Sequence, residues 1–179
     1  MRIVAGKYRG RMIRPPKGLP VRPTTDQAKE ALFNILSHRL DFSEISVLDC
    51  FAGTGNMSYE FLSRGVKRLV AVDADAKCVQ FIQSTFRELG AADMRAMKMP
   101  VEKFFQGKPE AFDLIFMDPP YAMAGQEALI AGILHSEWLA SDGLLILEHA
   151  STNQFDSLAE FVELRKYGGS SFSFFEKCQ

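Results

Sequence analysis

The sequence is poor in cysteine and has no long apolar run. Its three cysteines, Cys50, Cys78 and Cys178, are widely spaced and form no CxxC motif, which argues against a disulfide framework and a zinc site. No stretch approaches the ~20 apolar residues of a membrane-spanning helix. The first ten residues, MRIVAGKYRG, are too polar for a secretory signal. We therefore expect a protein of the reducing cytoplasm, with no membrane partner and no metal.

The 179 residues fit one domain, 1–179, made of a basic extension (1–25) and a core (26–179). From Ile45 onward, strand-like runs alternate with helical ones, which indicates a mainly parallel sheet with helices on both faces. Two strand-prone runs around Gly168-Gly169 predict a C-terminal antiparallel hairpin. The predicted strands are Arg2–Ala5, Tyr8–Ile13, Ile45–Phe51, Lys67–Val72, Met94–Met99, Phe112–Met117 and Gly143–Glu148. The first predicted helix is capped by Thr24 or Thr25 and runs to about Arg39. The other predicted helices are Met57–Arg64, Asp75–Leu89 with Asp75 as its cap, Val101–Gln106 and Gln126–Trp138.

Positive charge is concentrated at the N-terminus. Residues 1–25 hold seven cations and no acid, whereas residues 26–179 hold the other 14 cations and all 22 acids, a net charge of −8. A basic arm on an acidic body is typical of a protein that binds a polyanion such as nucleic acid, although a solvated surface without a partner has the same pattern. The seven cations are Arg2, Lys7, Arg9, Arg11, Arg14, Lys17 and Arg22.

A glycine loop follows the first strand of the core. In VLDCFAGTGNMS, Asp49 and Phe51 precede Gly53-Thr54-Gly55, where glycines allow a sharp turn and close approach of a ligand. The third glycine of the dinucleotide fingerprint is replaced by Ser58, and no GK[ST] sequence is present to hold nucleotide phosphates. Asp73 ends the next strand, where an acid can accept both hydroxyls of a ribose. These residues indicate an adenosine-containing cofactor without distinguishing NAD from S-adenosylmethionine.

The strand Phe112–Met117 runs directly into Asp118-Pro119-Pro120-Tyr121. Two prolines fix two successive φ angles, so Asp118 and the Pro119 carbonyl form a rigid pair of acceptors for one amino group. Such acceptors stabilise the positive charge that grows on an amine during methylation, and Asp118 can take its proton. Tyr121 offers a face on which a base can stack.

At this point the chain resembles a known family. Asp118–Tyr121 is similar to the (D/N)PP(Y/F/W) motif of S-adenosylmethionine-dependent amino-methyltransferases. Four segments, RIVAGKYRGR, RPTTDQAKEALFNIL, VLDCFAGTGNMSYEFLSRG and FDLIFMDPPY, resemble the RsmD family, which methylates guanine N2 in small-subunit ribosomal RNA. The resemblance implies a Rossmann-like class I methyltransferase fold with a seven-stranded sheet and a short N-terminal β-hairpin extension.

The resemblance also implies roles for individual residues. The loop from Asp49 through Phe51, Gly53 and Gly55 would lie along the methionyl part of S-adenosylmethionine, and Asp73 would bind its ribose. Thr24, Thr25 and Arg22 would lie over the cofactor. Where the family often has an acid or amide for the adenine amine, this chain has Met99-Pro100-Val101, so Val101 and backbone groups would hold the ring. The catalytic residues would be Asp118, Pro119, Pro120 and Tyr121, and the RNA-binding residues would be Arg2, Lys7, Arg9, Arg11, Arg14 and Arg22.

Three other functions remain open at the level of sequence. An adenine N6-methyltransferase acting on DNA or RNA would use the same tetrapeptide. An NAD-dependent oxidoreductase would use a similar glycine loop, although Ser58 and the DPPY motif argue against it. A noncatalytic RNA-binding protein could have the same fold, but it would have no chemical reason to retain Asp118 and Tyr121. Either naked RNA or the assembled small subunit could be the substrate.

Overall fold

The computed structural model describes residues 1–19 and 24–177, and its centre is one seven-stranded sheet in the order β3-β2-β1-β4-β5-β7-β6. Strands β1 to β5 are parallel, β7 is antiparallel to β5, and β6 is antiparallel to β7. The strands are β1 Ser46–Cys50, β2 Arg68–Asp73, β3 Arg95–Lys98, β4 Phe112–Met117, β5 Leu139–Ala150, β6 Phe161–Tyr167 and β7 Ser170–Glu176. The predicted fold class and the C-terminal hairpin are confirmed.

Five α-helices cover the two faces of the sheet: α1 Asp26–Ser37, α2 Asn56–Ser63, α3 Ala76–Glu88, α4 Val101–Phe104 and α5 Gln126–Leu134. Alternate residues of each buried strand face opposite layers, as the period of a strand requires. On β1, Val47 belongs to the apolar cluster under α1, α2 and α3, whereas Leu48 belongs to the cluster under α4 and α5. No helix in the described ranges is long and apolar enough to cross a membrane.

Helix starts follow the predicted capping chemistry. The Thr25 hydroxyl caps α1 by accepting from the Ala28 N–H at 3.2 Å, and the Asp75 carboxylate caps α3. Ends set by tertiary pairing differ from prediction. Helix α5 ends at Leu134 rather than Trp138, and β5 begins at Leu139 rather than Gly143, because Leu139 pairs with Phe112 on β4.

The N-terminal segment, residues 1–13, differs more from prediction. The chain reverses as expected, and backbone hydrogen bonds join its two arms, as from the Ile3 N–H to the Arg11 carbonyl at 3.0 Å, but the predicted strands shorten to a β-bridge between Arg2 and Met12. The reason is that backbone N–H groups of this segment bond to α2: Lys7 donates to the Ser63 carbonyl at 2.6 Å and Tyr8 to the Ser63 hydroxyl at 2.9 Å. Ile3, only 2% exposed, belongs to the main core.

A buried ion pair fixes this segment to the core. The Lys29 ammonium lies 3.1 Å from the Glu60 carboxylate, and both side chains are almost completely buried. Lys29 also donates to the Arg2 carbonyl at 2.6 Å, and Glu60 accepts from the Val4 N–H at 2.8 Å. Asp26 also lies 3.5 Å from the Lys29 ammonium, and Arg64 pairs with the second oxygen of Glu60, so the pair is part of a charge network that joins the N-terminal segment, α1 and α2.

Candidate active site

The carboxyl ends of β1, β2 and β4 surround a cavity of about 700 Å³, which we call the main cavity. This volume is within the range of sites for small ligands. In an open parallel sheet, ligands bind at this edge where the strand order reverses, which here lies between β1 and β4. The predicted residues that line the cavity are Thr24, Asp49, Phe51, Gly53, Asp73, Val101, Asp118, Pro119, Pro120 and Tyr121.

Three residues of the loop after β1, Phe51, Gly53 and Gly55, have positive φ angles. Phe51 has φ +60°, a conformation that an aromatic residue rarely adopts and that costs of order 1–3 kcal/mol. Gly53, at φ +53°, has nothing within 4 Å of where a Cβ would stand, so its surface is open. Gly55 serves packing instead: a Cβ there would lie 2.8 Å from the ring of Tyr59. Neither Gly55 nor Thr25 is among the described residues that line the main cavity.

Asp49 is a buried acid beneath the loop. It lines the main cavity although only 1% of it is exposed, and the Ser58 hydroxyl donates to its Oδ2. Burial raises the pKa of Asp49 to about 7, with a small addition from the nearby Asp73 charge, while the Ser58 hydrogen bond opposes the rise. A positively charged ligand group would therefore favour the ionised form of Asp49.

Asp73, at the end of β2, is held in position by two backbone donors. Its Oδ2 accepts from the Gly53 N–H at 2.7 Å and its Oδ1 from the Asp75 N–H at 2.8 Å. Each carboxylate oxygen can accept a further hydrogen bond. The arrangement suits two adjacent ligand hydroxyls, such as those of a ribose.

The end of β3 contributes an apolar wall. Pro100 and Val101 line the cavity where the sequence lacks an acid or amide at the strand end. Glu102, the next residue, also lines the cavity, which sequence analysis did not identify.

The DPPY segment closes the opposite side. The Asp118 N–H donates to the Cys50 carbonyl at 3.3 Å, which ties the end of β4 to the end of β1. The Pro120 carbonyl accepts from the Met123 N–H at 2.9 Å and from the Gln126 amide at 3.3 Å. Within the described chain this leaves the Pro119 carbonyl, beside Asp118, as the acceptor for a ligand. Tyr121 is 38% exposed and lines the main cavity.

A polar chain behind Thr24 was missed by sequence analysis. Asn56 donates to the Thr24 carbonyl at 3.2 Å and accepts from the Lys29 ammonium at 3.0 Å. The Thr24 hydroxyl donates to the Glu148 carboxylate at 2.8 Å. Lys29 and Glu148 lie 119 positions apart, so no local sequence signal could have linked them.

The N-terminal cations that the structure describes are not part of the lining of the main cavity. Lys7, Arg9, Arg11 and Arg14 are exposed on the outer side of the docked segment. Arg2 forms an ion pair with Asp26 at 3.1 Å. The prediction for Arg22 falls outside the described residues.

Cys50 and His149, at the ends of β1 and β5, are both buried. Cys50 is fully buried, and burial raises the pKa of its thiol well above the usual value, so it is an apolar core residue rather than a nucleophile. His149 is 1% exposed, with its Nε2 2.8 Å from the Ser173 hydroxyl, and burial lowers its pKa.

The chain is similar in sequence to known ribosomal RNA methyltransferases. The family model described as "Conserved hypothetical protein 95" matches residues 1–176. The "Putative rRNA methyltransferase YlbH" of Bacillus subtilis (strain 168) is 30% identical over 184 residues, covering 99% of each chain. The "Ribosomal RNA small subunit methyltransferase D" of Escherichia coli (strain K12) is 31% identical over 153 residues, covering 86% of this chain and 76% of the relative.

The structure of a "Putative methyltransferase yhhF from Escherichia coli" superimposes with a TM-score of 0.86 at 28% identity, covering 99% of both chains. The chain therefore belongs to the RsmD family of S-adenosylmethionine-dependent methyltransferases.

Proposed function

We propose that the protein methylates the exocyclic N2 amine of a guanine in small-subunit ribosomal RNA, with S-adenosylmethionine as methyl donor. The observation that carries the proposal is the placement of Asp118–Tyr121 in the wall of the cavity that also contains Asp49, Gly53 and Asp73. A cofactor site and an amine-binding tetrapeptide thus share one space.

The main cavity has the chemical groups that this cofactor needs. Asp49 provides a buried carboxylate for the cationic methionyl part, the bare backbone at Gly53 permits close approach, and Asp73 offers two oriented acceptors for the ribose. Val101 and Pro100 supply an apolar wall for the adenine ring. When bound, S-adenosylmethionine supplies a methyl group made electrophilic by its sulfonium.

The chain's own acceptors act on the substrate amine. An exocyclic amine is a weak nucleophile because its lone pair is delocalised into the ring. Asp118 and the Pro119 carbonyl would each accept a hydrogen bond from the amine, which stabilises the positive charge that develops on its nitrogen. Methylation replaces one N–H bond by N–CH₃, and the Asp118 carboxylate would accept the released proton.

Tyr121 would hold the target base. Base–aromatic stacking is worth about 1–3 kcal/mol per base. A base within a helix cannot reach this position, so the substrate guanine must be unpaired or flipped out.

The exposed cations of the N-terminal segment would contact the RNA backbone. Lys7, Arg9 and Arg11 lie on the N-terminal segment, which hydrogen bonds to Ser63 hold against α2, and Arg14 follows it directly, while residues 26–179 carry a net charge of −8. Binding to phosphates by such a patch is electrostatic and does not depend on sequence. The proposed place of action is the cytoplasm, on naked RNA or on the small subunit during assembly.

Among methyltransferases, family membership favours guanine N2 over adenine N6. The Escherichia coli relative is named as a small-subunit ribosomal RNA methyltransferase, which supports RNA over DNA.

The test is transfer of labelled methyl groups from S-adenosylmethionine to unmodified small ribosomal subunits. Asp118→Ala should abolish transfer while cofactor affinity stays near wild type. Asp118→Asn, which retains one acceptor oxygen, should keep measurable activity. Transfer to duplex DNA but not to subunits would contradict the proposal, and so would an Asp118→Ala protein with wild-type turnover.

A further inference from the structure

A second concave surface lies beside the DPPY segment, outside the main cavity. This groove, of about 350 Å³, runs between the start of α5 and the segment that follows β5. Tyr121 and Met123 line both the groove and the main cavity, so they form the wall between the two spaces. The surfaces proposed above for the cofactor, the target amine and the phosphates do not include it.

The groove contains a buried acceptor without a partner. Gln126, the first residue of α5, lines the groove and is only 9% exposed. Its Nε2 donates to the Pro120 carbonyl at 3.3 Å, and since a carbonyl can only accept, this bond fixes which end of the amide is the oxygen. The Oε1 atom has no hydrogen-bond partner among the described residues. Most buried polar atoms are paired, so this unpaired oxygen of a residue that lines the groove indicates a missing donor, and the side chain would turn toward the groove to meet one.

The remaining lining indicates the chemistry of that donor. Phe155 provides an apolar surface, Asn153 and Gln154 add side-chain amides, and Glu127 adds a carboxylate. None of the described lining residues is a cation, so the groove does not suit a phosphate. Apolar surface with amides and acceptors suits the flat face and the N–H edge of a nucleobase.

The position beside Tyr121 identifies which base. If the target base stacks on Tyr121 in the main cavity, the next nucleotide of the same strand lies on the other side of Tyr121 and Met123. That side is the groove, because these two residues separate the groove from the main cavity. We propose that the groove binds the nucleobase adjacent to the methylated nucleotide, with Gln126 Oε1 accepting a hydrogen bond from that base. The inference rests on the proposed function, because it needs a single-stranded nucleic acid at Tyr121.

The test measures binding of a short single-stranded RNA with a central guanosine to the full chain saturated with S-adenosylhomocysteine. Two further RNAs lack the base on the 5′ or the 3′ side of that guanosine. One of the two abasic RNAs should bind about tenfold more weakly to the wild-type protein. Gln126→Met should weaken binding of the intact RNA by about threefold to tenfold, and the abasic penalty should shrink in this variant.

Gln83→Met is the matched control. The Gln83 amide also donates to a backbone carbonyl, that of Ala96 at 3.0 Å, but Gln83 lies on α3 away from the groove. This variant should bind all three RNAs like the wild type. Gln126→Met removes the oxygen that has no partner and also the hydrogen bond to the Pro120 carbonyl, so its melting temperature should fall no further than that of Gln83→Met, which loses a bond of the same kind.

Three results would overturn the inference: wild-type affinity in Gln126→Met, an abasic penalty that the variant leaves unchanged, or no binding of the intact RNA by the wild type. Failure of the proposed function gives a different result. In that case small subunits are not methylated although RNA binding still depends on the neighbouring base and on Gln126.

Discussion

Replacing Asp49 by Asn should stabilise the cofactor-free protein while weakening its hold on the cofactor. Asp49 is 1% exposed, and burial raises its pKa to about 7 from 3.8. Because the pKa is higher in the folded state, ionised Asp49 opposes folding. The neutral carboxyl carries no such penalty below pH ~4. The penalty grows as the pH rises above 4 and is complete above the folded-state pKa of about 7.

The size of the effect follows from the pKa difference. Each pKa unit corresponds to about 1.4 kcal/mol, so at pH 8 the ionised carboxylate costs about 4 kcal/mol relative to a neutral group. At pH 5 the folded-state carboxyl is protonated, and the cost falls to about 1.5 kcal/mol. Asp49→Asn should therefore raise the free energy of unfolding by about 4 kcal/mol at pH 8 and by about 1.5 kcal/mol at pH 5.

Ligand binding should change in the opposite direction. S-adenosylhomocysteine carries an ammonium that the ionised form of Asp49 would hold. With a pKa near 7, about one tenth of the free protein is ionised at pH 6, so the wild-type affinity should rise about tenfold from pH 6 to pH 8. The affinity of Asp49→Asn should be lower at pH 8 and nearly independent of pH over this range.

Urea unfolding at pH 5 and 8 and calorimetric titration at pH 6 and 8 measure the two effects. Asp93→Asn, at an exposed site, controls for the loss of one negative charge. The buried asparagine amide adds a cost that is the same at both pH values, so the decisive quantity is the difference between the two gains, about 2.5 kcal/mol. A gain that is the same at both pH values would refute the assignment of Asp49 as a desolvated acid.

Three further predictions concern the N-terminal segment and the substrate surface. Gly6→Ala should cost at least about 3 kcal/mol of stability, because its Cβ would stand 2.0 Å from the backbone carbonyl at the end of α2. Gly10→Ala has the same φ of +82° but nothing within 4 Å, so it should cost only about 1–2 kcal/mol; equal losses by thermal unfolding would contradict the docked geometry. Tyr121→Ala should raise KM for small subunits at least about fivefold while Tyr121→Phe stays near wild type, and an unchanged KM would exclude stacking. Arg11→Ala should reduce the slope of log affinity for RNA against log salt concentration by about 1. The control is Arg165→Ala, because Arg165 pairs with Glu163 on the edge strand β6 and its loss should leave the slope unchanged. Identical slopes in the two variants would exclude the N-terminal surface from the RNA interface.

The sequence predicts the elements whose causes are local. The strand Phe112–Met117 is a continuous apolar run stopped by two prolines, and its observed bounds are the predicted ones. Thr25 and Asp75 cap their helices because a side-chain oxygen reaches an N–H two or three residues away. The positions of Asp49, Asp73 and Asp118 at strand ends follow from the alternation of strands and helices, so their convergence on one cavity could be predicted.

Contacts between distant segments could not be predicted in this way. The N-terminal strands are shorter than predicted because the N–H groups of Val4 and Tyr8 donate to Glu60 and Ser63 on α2 rather than across the hairpin. The chain from Lys29 through Asn56 to Thr24 and on to Glu148 joins three distant segments of the sequence. Gln126 looks like an ordinary helix residue, and only the fold shows that its oxygen is buried without a partner.

The most direct test of the central claim is the identity of the modified nucleoside. Small subunits from cells that lack this activity would be incubated with the protein and labelled S-adenosylmethionine, and the RNA would be digested and analysed by mass spectrometry. Our account predicts that the label is recovered as N2-methylguanosine and is lost with Asp118→Ala. Label in N6-methyladenosine, on a ribose hydroxyl or on a ring carbon would contradict it.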